Sequence, residues 1–317
     1  MKHYEVIVIG SGPAGRRAAI QAAKFGLDVL VVERGRRVGG VSVHTGTIPS
    51  KTLRETALNL SGWRERGFYG RSYRVKQDLS ADDLRARLDM TLGHEVEVLE
   101  HQFARNQVTT LRGEAHFTDA NTIEVLGEEG ETFTFSADRF LLAVGTVPFR
   151  PDDIDFGDER IFDSDEILDL KELPRSMTVI GAGVIGIEYA TIFSALDVHV
   201  TLVEPRDSML DFIDREIIGD FTHQLRDRGM VLRFGRKAEK ITKLENGGCQ
   251  IDMEGGRVIR SDIVLFAAGR MGATADLNLN ACGIETDHRG RVAVDATTFQ
   301  TSAPHIYAAG DVIGFPS

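Results

Sequence analysis

Two short glycine-rich segments contain the residues whose types and spacing could do chemistry. The first spans Gly10–Gly15 with the sequence GSGPAG, and the second spans Gly181–Gly186 with the sequence GAGVIG. An acidic residue follows the first glycine by 23 positions in both copies, as Glu33 and as Glu204. Such a turn binds a dinucleotide, because the glycines and the following helix receive the pyrophosphate while the acid accepts hydrogen bonds from a ribose.

Each position of the turn has its own role. The first glycine makes the tight turn, the second lets the backbone approach the pyrophosphate, and the third lets the helix pack on the sheet. A single segment of this type is a weak signal, but two complete copies predict that one chain binds two dinucleotides. The residues predicted to form the two turns are Gly10, Gly12, Pro13, Ala14 and Gly15, and Gly181, Gly183, Val184, Ile185 and Gly186.

The elements that must position these turns form an internal repeat. Tyr4–Gly35 and Met177–Arg206 both have the order strand, glycine turn, helix, strand, acid. Short apolar runs that alternate with helices are typical of a buried parallel sheet. The sequence therefore predicts an α/β fold with two Rossmann-like domains. Between the copies we expect helices over 51–66 and 78–103, with Ser80 as a cap, and antiparallel strands over 113–117, 122–125 and 132–135.

The composition narrows the classes of partner. The net charge of −11 repels the phosphates of nucleic acids and of anionic membranes. No apolar run approaches the roughly 18 residues of a membrane span. The two cysteines, Cys249 and Cys282, show no metal-ligand or disulfide spacing, and neither do the histidines. We therefore expect no nucleic acid, membrane or metal partner, and a reducing cytoplasmic location.

Two further segments extend the pattern. Leu141–Pro148 has the sequence LLAVGTVP, and Thr301–Asp311 ends in IYAAGD. With the two turns, they show that the chain resembles the flavoprotein pyridine nucleotide-disulfide oxidoreductases, such as lipoamide dehydrogenase and glutathione reductase, from residue 4 to its end. The resemblance implies FAD at the first turn, with Asp311 holding its ribityl chain, and NAD(H) or NADP(H) at the second.

The resemblance also implies roles for single residues. Lys51 and Glu188 would form an ion pair beside the flavin, where a cation stabilises the electron-rich reduced ring. The other residues that it assigns to cofactor binding are Glu33, Arg34, Gly39, Gly40, Ser42, Thr47, Ala115, Gly145, Glu204, Arg206, Gly269, Arg270 and Gly310.

One departure from the disulfide-reducing members is decisive. Those members have cysteines at the positions of Ser42 and Thr47, within the segment GGVSVHTGTIPSK. Hydroxyl groups cannot form a disulfide, so a dithiol relay to lipoamide, glutathione or thioredoxin is excluded. The intact frame resembles the soluble, Si-specific pyridine nucleotide transhydrogenases. Three other segments are similar to that group, namely 161–167, 181–192 and 310–317.

This second resemblance implies the reaction NADPH + NAD+ → NADP+ + NADH, by a ping-pong route through FAD. Two alternatives remain open from the sequence. One is a diaphorase or oxidase that passes electrons to a quinone or oxygen. The other is a nucleotide-binding fragment without catalytic activity.

The expected domains are an FAD-binding domain over 1–147, an NAD(P)-binding domain over 148–270 and the rest of the first domain over 271–317. Members of the family continue through a C-terminal interface domain that builds a dimer. We therefore expect this chain to be truncated, and we expect a homo-oligomer only of the full-length form.

Two side chains after the second acidic strand favour different nucleotides. Glu204 is placed to bind the free 2′-hydroxyl of NAD and to repel a 2′-phosphate, and Gly186 also leans toward NAD. Arg206 is placed to bind that phosphate. Together they indicate a site that admits both nucleotides, and the simpler alternative is an NAD site with a surface arginine.

Overall fold

The computed structural model describes residues 1–70, 72–157, 159–245 and 247–314. The strands are β1 Lys2–Ile9, β2 Val29–Glu33, β3 Thr109–Arg112, β4 Glu114–Asp119, β5 Thr122–Leu126, β6 Thr132–Leu142, β7 Thr146–Pro148, β8 Ile161–Asp163, β9 Ser176–Ile180, β10 His199–Glu204, β11 Val231–Phe234, β12 Ala238–Lys243, β13 Cys249–Met253, β14 Arg257–Ser261, β15 Ile263–Phe266, β16 Arg270–Gly272 and β17 Ile306–Ala308. The α-helices are α1 Pro13–Lys24, α2 Gly40–His44, α3 Thr47–Leu60, α4 Arg66–Tyr69, α5 Ala81–Arg105, α6 Val184–Ala195 and α7 Arg215–Asp227.

The chain forms two compact units. Unit 1 consists of Met1–Ile48, Leu92–Val147 and the segment from Arg270 onward, and unit 2 consists of Pro49–Thr91 and Pro148–Gly269. These bounds differ from the expected domains, which placed 49–91 in the first domain and residue 270 in the second. The difference has a physical cause, because Leu53, Ala57 and Leu84 of this segment lie in the core cluster of unit 2.

Unit 1 is built on a sheet in the order β3-β2-β1-β6-β5-β4. Strands β1, β2 and β3 pair in parallel, and β1 also pairs in parallel with β6. The long strand β6 pairs antiparallel with β5 through its first half and parallel with β17 through its last residues. Alternate residues of β1 enter two apolar clusters, with Ile7 and Ile9 in one and Val8 in the other. The sheet is therefore buried on both faces, as the continuous apolar runs predict.

Unit 2 contains an all-parallel sheet in the order β11-β10-β9-β15-β8. One face packs on helices through a cluster that includes Val179 and Leu265, together with Leu53 and Ala57 of α3. The other face packs on the antiparallel sheet β12-β13-β14 through a cluster that includes Val264. The predicted α/β class with two Rossmann-like sheets is confirmed.

The predicted helices between the two copies have different bounds. Helix α3 spans Thr47–Leu60, and the chain leaves the helical conformation at Gly62, whose φ is +65°. Helix α5 begins at Ala81, one residue after its predicted cap. The N–H and hydroxyl of Ser80 both donate to Asp83 Oδ2 at 2.9 Å, while the Asp83 N–H donates to Ser80 Oγ at 3.4 Å. This reciprocal pair is a capping box.

Within the described ranges, no helix combines the length and the apolar composition that a membrane span requires. Nor do three or more histidine, cysteine or acidic side chains of those ranges come together as a metal site. The last three residues of the segment 310–317, which contributed to the resemblance, lie outside the described residues.

Candidate functional site

The first glycine turn joins β1 to α1. The Gly10 N–H donates to the Val32 carbonyl at 2.8 Å, and Ile9 receives the Ala143 N–H at 2.8 Å. Helix α1 begins at Pro13, whose missing N–H costs nothing at this position. The turn is therefore held between the ends of β1, β2 and β6.

The second turn joins β9 to α6 and repeats these contacts. The Gly181 N–H donates to the Val203 carbonyl at 2.9 Å, and Ile180 receives the Ala267 N–H at 2.8 Å. Helix α6 includes the predicted residues Val184 and Ile185 and Gly186. The predicted repeat is thus a repeat in hydrogen bonding as well as in sequence.

At two positions of each turn, the backbone of the protein leaves no room for a side chain, so only glycine fits. Gly10 has φ +102°, and a Cβ there would lie 2.4 Å from the Ala143 oxygen. A Cβ at Gly15 would lie 2.0 Å from the Gly10 oxygen. At Gly181 and Gly186 the corresponding contacts with backbone oxygens would be 2.6 Å and 2.0 Å. These glycines allow the turn to close and the helix to pack on the sheet.

At the middle glycines, Gly12 and Gly183, neither the backbone conformation nor a steric contact within the protein requires glycine. Their φ angles are −61° and −76°, and a Cβ at either position would have no heavy atom within 4 Å. The helices behind them begin without a side-chain cap or an acidic residue in the first turn. The free N–H groups and the open space fit the close approach of a pyrophosphate.

A cavity of about 780 Å³ lies over the first turn within unit 1, a size suited to a large organic ligand. The predicted cofactor residues that line it are Gly10, Gly12, Pro13, Ala14, Glu33, Arg34, Gly40, Ser42, Thr47, Ala115, Gly145, Gly310 and Asp311. Two predicted residues support the lining from behind. Gly15 packs against Gly10, and the Gly39 N–H donates to Ser11 Oγ at 2.8 Å.

Ser11 is a candidate site residue that the motif reading did not include. It is fully buried, and its hydroxyl contacts Glu33 Oε2 while its N–H donates to the same oxygen at 2.9 Å. Glu33 Oε1 accepts the Gly35 N–H at 2.8 Å. Ser11 thereby fixes the carboxylate predicted to bind a ribose, and its place inside the glycine motif was the available signal. Other lining residues that the sequence analysis did not assign to a cofactor include Arg36, Arg37, His44, Thr45, Glu114 and Asp276.

Glu204 occupies the equivalent place in unit 2 but has a charged partner. Its Oε2 accepts the Ala182 N–H at 2.7 Å, and its Oε1 accepts the Arg206 N–H at 3.1 Å. The Arg206 guanidinium also donates to both oxygens, from Nε at 2.9 Å and from Nη2 at 3.2 Å. Its Nη1 donates to Asp211 Oδ2 at 3.0 Å. Arg206 therefore forms hydrogen bonds with two carboxylates, and its position in the motif did not predict these partners.

These contacts set the charge of Glu204. Burial on its own raises the pKa of the Glu204 carboxyl, but hydrogen bonds from the Arg206 guanidinium and from the backbone N–H groups of Ala182 and Arg206 outweigh burial. The pKa of Glu204 consequently lies below its ordinary value, and the Glu204 carboxylate in turn raises the pKa of Arg206. Glu204 is therefore ionised at neutral pH.

Lys51 and Glu188 form the predicted ion pair, through Lys51 Nζ and Glu188 Oε1 within unit 2. The Lys51 side chain is 59% exposed, and that of Glu188 is 17% exposed. Lys51 follows Thr47 by one turn on helix α3. The pair thus consists of a well-shielded carboxylate and an accessible ammonium.

Ser42 and Thr47, at the positions where the resemblance implies cysteines in disulfide-reducing members, both line the cavity of unit 1. Neither Cys249 nor Cys282 is among its lining residues, and the two cysteines do not form a disulfide. Burial raises the pKa of the Cys282 thiol to about 11, which keeps it in the unreactive protonated form at neutral pH.

The last predicted residues, Gly269 and Arg270, lie where the chain passes from unit 2 to unit 1. The Gly269 carbonyl accepts the Phe149 N–H at 3.0 Å. The Arg270 guanidinium donates from Nε to Thr146 Oγ1 at 2.9 Å and from Nη2 to the Thr146 carbonyl at 3.0 Å. Since Thr146 lines the cavity, Arg270 supports it from behind.

Comparisons with known proteins agree with this geometry. The family model described as pyridine nucleotide-disulphide oxidoreductase matches residues 4–317. The soluble pyridine nucleotide transhydrogenase of Mycobacterium tuberculosis (strain ATCC 25177 / H37Ra) is 49% identical to the whole chain, which spans 68% of that protein. The enzyme of the same name from Vibrio parahaemolyticus is 41% identical to the whole chain, which spans 67% of its length.

Solved structures give the same result for the fold. The Cu(II) complex of RclA, an HOCl-induced flavoprotein disulfide reductase from Escherichia coli, has a TM-score of 0.87 at 27% identity, over 99% of this chain and 67% of its own. LpdA from Mycobacterium tuberculosis has a TM-score of 0.88 at 26% identity, over 99% and 68% of the two chains. This chain therefore belongs to the pyridine nucleotide-disulphide oxidoreductase family.

Proposed function

We propose that this chain is a flavin-dependent transhydrogenase that transfers a hydride equivalent between NADPH and NAD+. The observation that carries the proposal is a pair of nucleotide half-sites, one at each glycine turn, that have the same backbone hydrogen bonds. The first half-site has a cavity that is lined by Ser42 and Thr47 in place of a dithiol. Two dinucleotides can be held, and no disulfide is available to divert electrons. Relatives that are 41% and 49% identical over the whole chain are named soluble pyridine nucleotide transhydrogenase.

The first half-site binds FAD. When bound, FAD supplies the hydride acceptor and donor that no side chain provides. The N-terminus of α1 and the turn around Gly12 receive the pyrophosphate. Glu33, fixed by Ser11, accepts ribose hydroxyls, and Asp311 holds the ribityl chain. The cavity position of Glu33 and Asp311 supports these roles.

The second half-site binds the nicotinamide nucleotides in turn. The N-terminus of α6 and the turn around Gly183 receive the pyrophosphate, and Glu204 accepts hydrogen bonds from the adenosine ribose. A hydride leaves NADPH and one arrives at NAD+, so the overall reaction balances without an external reductant. A single nucleotide site that serves both substrates gives ping-pong kinetics.

Lys51 supplies a positive charge that would stabilise the electron-rich reduced flavin and so favour transfer of a hydride to it. Glu188 holds the Lys51 ammonium through the ion pair, and Glu188 is therefore a positioning residue. We place the reaction in the cytoplasm, where thiols stay reduced, and this fits a chain whose two cysteines form no disulfide with each other.

The test is anaerobic turnover of the FAD-loaded protein with NADPH and thio-NAD+, whose reduced form absorbs at its own wavelength. Reduction of thio-NAD+ with parallel double-reciprocal plots is expected. Reduction of a dye or of oxygen without reduction of thio-NAD+ would instead establish a diaphorase or oxidase. A yellow protein that turns over none of these acceptors would establish a nucleotide-binding module.

A further inference from the structure

The end of β11 lies beside the loop that follows β10. The two strands pair in parallel, with Phe234 opposite Glu204. Beyond the strands, the Gly235 N–H donates to the Arg206 carbonyl at 2.8 Å, and the Arg236 N–H donates to the Glu204 carbonyl at 3.2 Å. These bonds bring Arg236 to the same sheet edge as Glu204 and Arg206, and dinucleotides bind at this carboxyl edge.

The two loops are also in close contact. Gly235 has φ +63°, and a Cβ there would lie 2.8 Å from Asp207 Oδ1. A Cβ at position 235 would therefore meet the carboxylate of Asp207, which would have to shift. The hydrogen bonds from the Gly235 and Arg236 N–H groups hold this segment, and with it Arg236 and Lys237, at the edge.

The cations at this edge differ in their hydrogen-bond and ion-pair partners. Arg206 is engaged by Glu204 and by Asp211 through all three of its guanidinium nitrogens. Arg236 and Lys237 are both exposed. Among the residues that the structure describes, the side chains of Arg236 and Lys237 have no hydrogen-bond or ion-pair partner.

The balance of charge indicates where these two cations could act. The segment 204–211 has the carboxylates of Glu204, Asp207 and Asp211 and the cation Arg206, so its own net charge is negative and repels a 2′-phosphate. Arg236 presents a planar fork of N–H donors that matches a phosphate. Lys237 adds a point charge beside it.

We propose that Arg236, assisted by Lys237, binds the 2′-phosphate of NADP(H) and so decides whether this half-site accepts NADPH as well as NADH. Arg206 then mainly neutralises Glu204 and lets its carboxylate coexist with a bound phosphate. The inference rests on the proposed function, because it assigns a subsite within the second nucleotide half-site.

Calorimetric titration of the FAD-loaded protein tests the assignment without turnover. The probes are adenosine 2′,5′-bisphosphate, which has the 2′-phosphate, and 5′-AMP, which lacks it. Arg236→Ala should weaken the bisphosphate about tenfold or more, the cost of a lost charged hydrogen bond, and should change 5′-AMP less than twofold. Arg257→Ala removes the same charge from an exposed position on β14 and should change neither.

If Arg236→Ala keeps its affinity for the bisphosphate and Arg206→Ala loses it, Arg206 binds the 2′-phosphate and the proposal is overturned. Equal affinity of the unaltered protein for the two probes would also overturn it. Either result is compatible with thio-NAD+ turnover, so failure of the subsite is distinguishable from failure of the transhydrogenase function. If the unaltered protein binds neither probe, both the subsite and the second half-site fail.

Discussion

Glu33 and Glu204 hold equivalent positions but have different partners. The buried hydroxyl of Ser11 contacts Glu33, whereas the guanidinium of Arg206 contacts Glu204. A neutral partner leaves the charge of a carboxylate intact, and a cation offsets it. The second half-site is therefore less repulsive to an additional phosphate than its acidic residue alone would indicate.

Replacement of Glu204 should shift the nucleotide preference. In Glu204→Gln, NADH loses a charged acceptor for its ribose hydroxyl and should bind about tenfold more weakly, since such a bond contributes about 1.5–3 kcal/mol. NADPH should bind more tightly, because a negative charge is removed and the Arg206 guanidinium is released. Equilibrium titrations of the FAD-loaded protein with each nucleotide measure both effects.

Asp211→Asn is the matched control for that experiment. It removes one carboxylate from Arg206 and leaves Glu204 in place. NADPH should bind more tightly while NADH keeps its affinity. If Glu204→Gln weakens both nucleotides equally, the carboxylate does not discriminate between them.

At the scale of the element, each glycine turn has a glycine that the fold requires and a glycine that only ligand binding would require. Gly10 is required by the left-handed backbone and by Ala143, whereas Gly12 and Gly183 face open space. Gly12→Ala should leave the unfolding midpoint of the FAD-free protein almost unchanged and strongly weaken FAD binding, because the methyl group occupies the space of the pyrophosphate. Thermal unfolding and fluorescence titration with FAD measure the two quantities.

Two matched variants complete this test. Gly10→Ala should lower the unfolding midpoint itself, since its Cβ would lie 2.4 Å from a carbonyl oxygen. Gly183→Ala should spare FAD and weaken the nicotinamide nucleotides. An equal loss of stability in Gly10→Ala and Gly12→Ala would contradict the assignment of Gly12 to the ligand.

The capping box of α5 gives a dependence of stability on pH. Hydrogen bonds from the Lys76 ammonium and from Ser80 lower the pKa of the Asp83 carboxyl to about 2. Because the folded pKa is depressed, Asp83 stabilises the fold above its unfolded pKa of about 4 and loses this effect as the pH falls toward 2. The unfolding midpoint of Asp83→Asn should therefore lie below that of the unaltered protein at pH 6, and the gap should narrow at pH 3.

Asp82→Asn is the control, because Asp82 lies in the same first turn with a side chain that is 85% exposed. Its midpoint should stay close to that of the unaltered protein at both values of pH. A gap for Asp83→Asn that stays constant as the pH falls would show that the carboxylate does not act through its charge.

At the scale of the whole molecule, the redox capacity should equal that of the flavin alone. Ser42 and Thr47 line the cavity of unit 1, and both cysteines are outside that lining. Anaerobic titration with dithionite should therefore consume two electrons per FAD. The double variant Cys249→Ala/Cys282→Ser should give the same value, and uptake of four electrons by the unaltered protein would reveal a redox-active disulfide.

The sequence by itself determined the two nucleotide turns and the α/β class. A glycine turn is recognisable because its constraints are local: a positive φ at the first glycine and close packing at the third restrict the residue type directly. Apolar runs beside the turns are equally direct, since a parallel sheet that is covered on both faces needs them. The Ser80 cap was readable for the same reason, although the exact start of α5 was not.

Only the tertiary structure decided the partners of the charged side chains. Ser11 meets Gly39, and Arg236 meets the loop after Glu204, because the sheets bring together segments that are far apart in the chain. The engagement of Arg206 by Asp211 depends in the same way on how the loop after β10 folds back. Segment 49–91 joined unit 2 because its apolar residues, such as Leu53, enter that core. A side chain's type is fixed by the sequence, but its charge environment is set by the neighbours that folding supplies.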